Sequence, residues 1–214
     1  MKIGILGSGV VGQTLANGFI KHGHEVMVGT NHTEKHEELK TKIDAKAKIG
    51  SFTDTAHFGN IVVLAVKGTG AESALRSAQA GNLKGKTVID ATNPIADAPP
   101  VNGVLKYFTT LEDSLMERLQ KLVPDAHFVK AFSSAGYAVM VNPDFGGVKP
   151  TMFIAGNSDE AKADVKKILQ QFGWEIEDLG KAEAARAIEP LCILWCIPGF
   201  VSNDWVHAFK LLRK

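Results

Sequence analysis

Three glycines near the amino terminus, Gly7, Gly9 and Gly12, lie between two different periodic patterns. Residues 2–6 form a short apolar run that predicts a buried strand, and the apolar residues after Gly9 recur every three or four positions, as in a helix. A glycine turn in this context suits a bound pyrophosphate, because it allows a tight turn, a close phosphate and a closely packed helix. Free N–H groups at the start of the helix would attract the phosphates. We expect the pyrophosphate at Gly7, Ser8, Gly9, Val10, Val11 and Gly12.

The residues after the second predicted strand, 25–29, bear on which dinucleotide would bind. A site for NAD usually carries an acidic residue here, which bonds the ribose 2'-hydroxyl and repels a 2'-phosphate. This chain instead has Thr30 and Asn31, which can donate hydrogen bonds, and His32 and Lys35, which can supply positive charge. We therefore expect these four residues to bind the 2'-phosphate of NADP. The alternative is that Thr30 and Asn31 only cap the following helix.

Small residues follow the other predicted strands. A ligand of an open parallel sheet lies beyond the carboxyl ends of its strands. Cofactor contacts are therefore expected at Ala65, Val66, Lys67, Thr92, Asn93, Pro94 and Ala131, and an acceptor slot at Phe132, Ser133 and Ser134. Small residues suit a flat ring lying against backbone, as hydride transfer between two rings requires. No catalytic acid or base is evident in these segments.

Lys67 and the pair formed by Asn93 and Pro94 each have two possible roles. Lys67 is interpreted either as a ligand of a phosphate or ribose or as a solvated loop lysine. Asn93 and Pro94 are interpreted either as a cis-proline turn beside the nicotinamide or as a plain structural turn.

The elements that must position these residues alternate along the chain. Continuous β-branched runs at 61–66 and 87–91 predict strands buried on both faces, and helical patterns stand between the strands and at 111–123. The pattern predicts an α/β fold of the Rossmann type, with a doubly wound, mainly parallel sheet. We expect residues 1–140 to form the NADP-binding domain and residues 141–214 a small carboxyl-terminal α/β and helical appendage.

The last third of the chain is expected to begin with one more strand, helix and strand, at residues 152–155, 159–172 and 174–178. Residues 182–212 have a helical pattern interrupted by Pro190 and Pro198, so broken helices are expected there. This segment is more apolar than one covering helix needs, and it is expected to enter the core, to border the acceptor site or to form a homodimer face. The basic residues near its end are interpreted as complementing a helix dipole: Lys210, Arg213 and Lys214.

Composition narrows the function classes. A chain of 214 residues with 45% hydrophobic and 22% charged residues is typical of a globular protein, and a net charge of +1 does not favour nucleic acid or anionic membranes as partners. No stretch is expected to approach a membrane span, and a cytoplasmic location is predicted. Cys192 and Cys196 are expected to be buried apolar residues, and no metal site is predicted.

Four blocks of sequence carry a family resemblance: GILGSGVVGQTLANGFIKHGHEVMVGTN, VIDATNPI, VKAFSSAG and the closing LWC with DWVHAFKLLR. The chain resembles the NADP oxidoreductases that use coenzyme F420 and the bacterial dinucleotide-binding proteins grouped with them. The resemblance implies hydride transfer between NADPH and a small-molecule acceptor, either the deazaflavin F420 or a flavin. It also implies a nicotinamide beside Asn93, Pro94 and Ala131.

The chain departs from the family pattern in two places. The family usually has Ser-Arg where this chain has Thr30 and Asn31, and usually Asn-Thr where this chain has Ser133 and Ser134. The first pair bears on the choice of nucleotide, and the second bears on the electron acceptor.

Two other functions stay open at this stage. One is a dehydrogenase of the 6-phosphogluconate or pyrroline-carboxylate reductase type, which shares the amino-terminal fold but adds a long helical domain. The other is a redox sensor that binds NADP without turnover. The short-chain dehydrogenase chemistry is excluded in its usual form, because neither Tyr107 nor Tyr137 is followed by a lysine four residues later.

Overall fold

The computed structural model describes residues 1–32, 34 and 36–214, and it contains an eight-stranded sheet. The strands are β1 (Lys2–Leu6), β2 (Glu25–Gly29), β3 (Lys48–Gly50), β4 (Ile61–Leu64), β5 (Thr87–Asp90), β6 (His127–Lys130), β7 (Thr151–Gly156) and β8 (Glu175–Asp178). Their order across the sheet is β3-β2-β1-β4-β5-β6-β7-β8, and every neighbouring pair is parallel except β6 and β7. The predicted α/β fold with a mainly parallel sheet is confirmed.

The helices lie between and after these strands. They are α1 (Val10–Lys21), α2 (His36–Lys42), α3 (Phe52–Phe58), α4 (Ala71–Ala78), α5 (Leu115–Leu122), α6 (Asp159–Gln171), α7 (Ala185–Ile188) and α8 (Leu191–Ser202). Helix α5 begins four residues later than predicted, because Ser114 caps it: the Ser114 hydroxyl accepts from the Glu117 N–H, and the Glu117 carboxylate accepts from the Ser114 N–H.

The direction in which successive strands are added to the sheet reverses after β3. The first three strands run outward from β1 to β3, and the chain then returns to place β4 on the other side of β1. Strand order of this kind is typical of dinucleotide-binding sheets, and it leaves a crevice at the carboxyl ends of β1 and β4.

Alternate residues of each central strand enter two hydrophobic clusters, one on each face of the sheet. In β4, Ile61 and Val63 belong to the first cluster, and Val62 and Leu64 belong to the second. Because both faces are covered, β4 is buried along its whole length. The sheet is therefore a rigid support for the loops at its carboxyl edge.

The carboxyl-terminal unit of β7, α6 and β8 continues the same sheet. Strand β7 pairs antiparallel with β6 and parallel with β8. Met152 and Ile154 of β7 lie in the same buried cluster as Ile3 of β1. The division into two domains at residue 140 stays a prediction, and the two parts share one sheet and one hydrophobic cluster.

The segment after β8 differs from its prediction. Helix α8 passes through Pro198 and ends at Ser202, and residues 203–214 are neither helix nor strand. The predicted helix up to residue 212 is therefore wrong, and so is the interpretation of the basic residues as a helix end. The reason is tertiary: the Phe209 carbonyl accepts from the Thr151 N–H at 2.9 Å, and Lys210 pairs with Glu175.

One helical stretch of the described residues, Ala182–Ser202, is long and apolar enough to cross a membrane, judged by length and composition alone. The expectation that no stretch approaches a membrane span is wrong by this measure. The stretch is interrupted at Glu189 and Pro190, and the Glu189 carboxylate makes a buried ion pair with Lys130. Its middle is thus fixed to the sheet.

Candidate functional site

The glycine turn between β1 and α1 has the shape that a bound pyrophosphate requires. Gly7 has φ +125°, and a Cβ there would lie 2.3 Å from the Ala65 carbonyl oxygen. A Cβ on Gly12 would lie 2.0 Å from the Gly7 carbonyl oxygen, so only glycine lets α1 approach the turn this closely. Gly9 is different, because nothing lies within 4 Å of the position of its Cβ. The turn therefore leaves open space at the amino terminus of α1.

The first turn of α1 is suited to an anion. Gly9 is the N-cap residue and offers no side-chain cap, and the first turn holds no acidic residue. The first-turn N–H groups have no intrahelical acceptor, and the helix dipole adds positive potential there. The Gln13 side chain donates to the Ser8 carbonyl at 2.8 Å and holds the turn in place. These features agree with the predicted pyrophosphate position.

A groove of about 340 Å³ runs along the carboxyl ends of β1, β2 and β4. It brings together many of the predicted cofactor residues: Gly7, Ser8, Gly9, Thr30, Asn31, His32, Ala65, Val66 and Lys67. Phe52 and the start of α4 complete the lining. A second cavity of about 560 Å³ shares Ser8, Gly9 and His32 with the groove and reaches α2. Val10, Gln13 and Lys42 also line this cavity.

The residues after β2 agree only in part with a site for a 2'-phosphate. Thr30 is buried, and its hydroxyl oxygen accepts from the His32 N–H at 3.1 Å. Asn31 and His32 are exposed in the groove. The His32 imidazole pairs with the Glu34 carboxylate at 3.0 Å, an acidic neighbour that the sequence analysis missed. Lys35 lies outside the described residues.

Lys67, just after β4, forms an ion pair with Asp97. The two side chains are 65% and 64% exposed, so the pair contributes little to stability. The ammonium group can exchange this partner for a phosphate at small cost. Its role as a cofactor ligand stays a prediction.

Asn93, after β5, is held from several directions. Its side-chain amide donates to the Ser133 carbonyl at 2.8 Å, and the Tyr107 hydroxyl lies 3.5 Å from its side-chain oxygen. A Cβ on Gly68 would lie 2.0 Å from the Asn93 carbonyl oxygen, so the two loops are in close contact. The cis-proline interpretation of Pro94 is wrong, because no peptide bond of the described residues is cis. The trans form is the ordinary one for such bonds.

The residues after β6 are less open than an acceptor slot requires. Ala131 and Phe132 are 0% and 1% exposed, and the Phe132 ring packs against Phe172. Both side chains belong to the core, and their proposed places beside the nicotinamide and in the acceptor slot stay predictions. Ser133 and Ser134 are buried as well. Phe132 has φ +63°, an uncommon conformation for a large side chain, so this loop is locally strained.

One polar atom of this loop lacks a hydrogen-bond partner. The Ser133 hydroxyl is buried and has no hydrogen-bond partner among the described residues. A buried hydroxyl without a hydrogen-bond partner costs about 1 to 3 kcal/mol, so this group can gain from a hydrogen bond to a polar ligand atom.

A buried charge cluster that the sequence analysis missed lies behind the strand ends. The Lys130 ammonium is 2.8 Å from the Asp90 carboxylate and 2.9 Å from the Glu189 carboxylate, and these side chains are 0%, 0% and 2% exposed. Lys130 also donates to the Thr92 carbonyl at 2.8 Å, and the Thr92 hydroxyl donates to Asp90 at 2.6 Å. The sequence signal that could have predicted this cluster is a charged residue at the end of each of two apolar strands, in the segments VID and FVK.

Ionisation in this region is set by burial and by these partners. Burial by itself lowers the pKa of Lys130, but the attraction of Asp90 and Glu189 outweighs it, and the pKa of Lys130 is raised. Burial raises the pKa of Tyr107, with a further rise from the neighbouring Cys192. Lys130 therefore stays charged, and the Tyr107 hydroxyl stays protonated and donates to the Glu189 carbonyl at 2.8 Å.

Cys192 and Cys196 lie one turn apart on α8. Both are buried free thiols, as predicted, and their sulfur atoms are 3.9 Å apart. Groups of three or more histidine, cysteine or acidic side chains that could hold a metal do not occur in the described part of the chain.

Comparison with known proteins agrees with this geometry. Residues 2–94 match the family described as NADP oxidoreductase, coenzyme F420-dependent. A crystal structure from Arthrobacter sp. FB24, assigned as an F420-dependent NADP reductase, is 30% identical and covers 100% of both chains, with a TM-score of 0.93. The chain belongs to this family.

More distant proteins extend the likeness. The chain is 29% identical to rat metalloreductase STEAP3 over 99% of its own length, but it spans 42% of that protein. It spans about two fifths of the length of the curated relatives it matches. A reductive aminase from Aspergillus terreus, solved in complex with NADPH, is 19% identical, with a TM-score of 0.68 over 94% of this chain and 63% of that one. This last likeness shows the fold alone.

The family and the site agree on the chemical class. The family consists of NADP oxidoreductases, and the chain carries an open glycine turn at a helix amino terminus in the crevice of a dinucleotide-binding sheet. The chain is an NADP-dependent oxidoreductase.

Proposed function

We propose that the chain transfers a hydride between NADPH and a deazaflavin (F420) or a flavin-like acceptor. The observation that carries the proposal is the groove of about 340 Å³ that joins the glycine turn to the ends of β2 and β4. It occurs in a chain that is 30% identical, over its whole length, to an assigned F420-dependent NADP reductase. The pyrophosphate would lie at Gly9, and the 2'-phosphate would lie near Asn31 and His32.

The nicotinamide end is proposed at Asn93 and Ser133. Asn93 is already fixed by its 2.8 Å hydrogen bond to the Ser133 carbonyl. The Ser133 hydroxyl has no partner among the described residues, and a nicotinamide carboxamide would supply both a donor and an acceptor for it. Ser133 is 3% exposed, so the loop has to shift slightly to make this contact.

The proposed acceptor is a flat ring because its reduction does not need an acid or base from the protein. Transfer between two flat rings requires close, parallel reactants rather than a protein acid or base. A deazaflavin or flavin takes its proton on a ring nitrogen, and water can supply it. Tyr107, whose hydroxyl lies 3.5 Å from the Asn93 side-chain oxygen, has a raised pKa and serves as a hydrogen-bond donor rather than as an acid.

The proposal is tested by offering three acceptors. Purified protein and NADPH are mixed without oxygen with F420, FMN or FAD in turn, and NADPH absorbance is followed. We expect NADPH oxidation with at least one of the three, in proportion to the acceptor reduced. If NADPH binds but none of the three oxidises it, the non-catalytic binder replaces this proposal. Turnover of an imine or a hydroxy acid instead would favour the other dehydrogenase class.

We also propose a homodimer through α8. Leu194, Phe200 and Val201 are 55%, 45% and 68% exposed, more apolar surface than single scattered side chains usually present. Light scattering should give a dimer mass for the wild type and a monomer mass for Val201→Glu. A monomeric wild type would contradict the dimer.

We also propose a cytoplasmic location, because Cys192 and Cys196 are free thiols, as is usual in a reducing compartment.

A further inference from the structure

Glu189 connects three parts of the protein at one buried point. It follows α7, its Oε2 accepts from the Leu115 N–H at 3.0 Å, and its Oε1 accepts from the Met116 N–H at 3.0 Å. Oε1 also lies 2.9 Å from the Lys130 ammonium at the end of β6. One carboxylate thus joins the carboxyl-terminal segment, the amino terminus of α5 and the central sheet.

The charge cluster continues from Lys130 to the loop after β5. Lys130 donates to the Thr92 carbonyl at 2.8 Å, and Asp90 accepts from both the N–H and the hydroxyl of Thr92. Every polar group of Thr92 is thereby fixed. Asn93 follows directly, so its position depends on this arrangement.

The Glu189 main chain reaches the same loop from the other side. Its carbonyl accepts from the Tyr107 hydroxyl at 2.8 Å, and that hydroxyl is 3.5 Å from the Asn93 side-chain oxygen. Asn93 is therefore connected to Glu189 by two routes, one through Lys130 and Thr92 and one through Tyr107.

Stability alone does not account for this carboxylate. Helix α5 already has a capping box in Ser114 and Glu117, and Glu117 carries its own partner, Arg186. Glu189 adds acceptors for the Leu115 and Met116 N–H groups, but that role does not need a contact with Lys130. Buried ion pairs are often no more stabilising than apolar residues of the same size, because removing the charges from water is costly. What such a cluster does provide is a fixed geometry for the groups it binds.

We propose that Glu189 is a positioning residue for the nicotinamide end of the site, acting through Lys130 and Tyr107 on Thr92 and Asn93. The inference rests on the proposed binding of NADPH along this groove, and it does not depend on which acceptor is used. Its consequence is that the carboxyl-terminal segment must be docked for the nicotinamide to be held. The adenosine and pyrophosphate ends lie away from the cluster and should bind without it.

The test measures two quantities separately: the affinity for the whole nucleotide, and how tightly the nicotinamide ring is held. Fluorescence of the reduced nicotinamide reports how tightly the ring is held, and calorimetry gives the affinity of the whole nucleotide. In Glu189→Gln we expect NADPH affinity within about threefold of wild type. We expect the emission of bound NADPH to move toward that of the free nucleotide, and hydride transfer to slow about tenfold or more.

The matched control is Glu117→Gln, which removes a buried carboxylate from the same end of α5. Glu117 contacts Ser114 and Arg186 and makes no contact with Lys130 that the structure shows. This variant should lower the unfolding temperature and leave bound NADPH emission unchanged. Unchanged emission in a folded Glu189→Gln protein would overturn the inference, and an equal change in both variants would also overturn it.

A second variant decides the matter if Glu189→Gln does not fold. Tyr107→Phe removes one hydroxyl and keeps the buried ring, so the fold should tolerate it. It should shift bound NADPH emission in the same direction by a smaller amount, and wild-type emission in this variant would overturn the inference. Failure of the wild type to bind NADPH would overturn the proposed function together with the inference. An altered acceptor panel alone would leave the inference standing.

Discussion

The side-chain amide of Asn93 donates a hydrogen bond to the backbone carbonyl of Ser133 at 2.8 Å, and so joins the loop after β5 to the loop after β6. The Ser133 hydroxyl in the same residue has no partner among the described residues. The Asn93 amide is thus fixed, whereas the Ser133 hydroxyl is free to bond the nicotinamide carboxamide proposed to lie there.

Ser133→Ala should therefore separate stability from binding. Removing a buried, unpartnered hydroxyl should leave the unfolding temperature of the free protein unchanged or raise it, by about 2 to 4 °C per kcal/mol. NADPH affinity should fall about 3- to 10-fold, because one hydrogen bond to the carboxamide is lost. Thermal unfolding with and without NADPH, together with calorimetry, measures both effects.

Thr55→Val is the matched control for this experiment. The Thr55 hydroxyl is also buried without a partner among the described residues, but it lies in α3 and lines none of the described cavities at the strand ends. This variant should be at least as stable as wild type and should bind NADPH equally well. Equal affinity of Ser133→Ala and wild type would mean that the hydroxyl does not contact the nucleotide.

Gly9→Val should abolish NADPH binding in a folded protein. Its side chain would fill the open space at the amino terminus of α1, where the pyrophosphate is proposed to lie. Circular dichroism checks the fold, and calorimetry checks binding. Gly81→Val is the control, since Gly81 also faces open space but lies beyond α4. Normal NADPH affinity in folded Gly9→Val would remove the phosphate site from the account.

Asn31→Asp should reverse the preference for NADP. Asn31 is exposed in the groove whereas Thr30 is buried, so a charge at residue 31 would face the 2'-phosphate directly. NADPH affinity should fall at least about tenfold, or about 1.4 kcal/mol, and NADH affinity should change little. Asn60→Asp, at the opposite edge of the sheet, should affect neither nucleotide. A wild type that prefers NADH, or equal losses for both nucleotides, would contradict this placement.

Glu117 should give the fold a measurable acid dependence. The hydrogen bond from Arg186, with further bonds to Ser114, lowers the pKa of Glu117 from 4.5 to about 2. A carboxyl group with a lowered pKa contributes stability that is complete above its unfolded value and is lost as the pH falls through its folded value. The unfolding temperature should therefore fall from about pH 5 toward pH 2.

Glu117→Gln should flatten this part of the profile and cost about 1 to 3 kcal/mol of unfolding free energy at neutral pH. Calorimetry across the acid range measures both effects. Glu112→Gln, at an exposed position just before α5, should keep the wild-type profile. An unchanged acid profile in Glu117→Gln would show that the Arg186 pair does not persist in solution.

The sequence predicts the parts of this fold that depend on local pattern. The β-branched run at 61–66 predicts β4, and the turn from Gly7 to Gly12 predicts the amino terminus of the first helix. Both signals lie in neighbouring residues: one is a continuous apolar run, and the other is a spacing of glycines. The first residue of α5 could also be predicted from the sequence, because Ser114 followed three residues later by Glu117 is the pattern of a capping box.

The parts that the sequence does not predict depend on distant contacts. Residues 203–214 have a helical pattern, but their polar groups bond to β7 and β8 instead. Lys130 and Glu189 are far apart in the chain, and only the folded sheet brings them together. The burial of Phe132 follows from its positive φ and its packing on Phe172, neither of which a strand-end rule contains.

The proposed reaction is a direct hydride transfer from NADPH to a deazaflavin or flavin-like acceptor, and isotope transfer to F420 follows the hydride itself. NADPH carrying deuterium on one face of C4 is mixed with the protein and F420, and the reduced F420 is analysed by mass spectrometry. We expect deuterium from one face, and not from the other, to appear in the reduced deazaflavin, and we expect the same label to slow the reaction. Reduced F420 without deuterium from either face would rule out direct hydride transfer, and so would bound NADPH that reduces neither F420 nor a flavin.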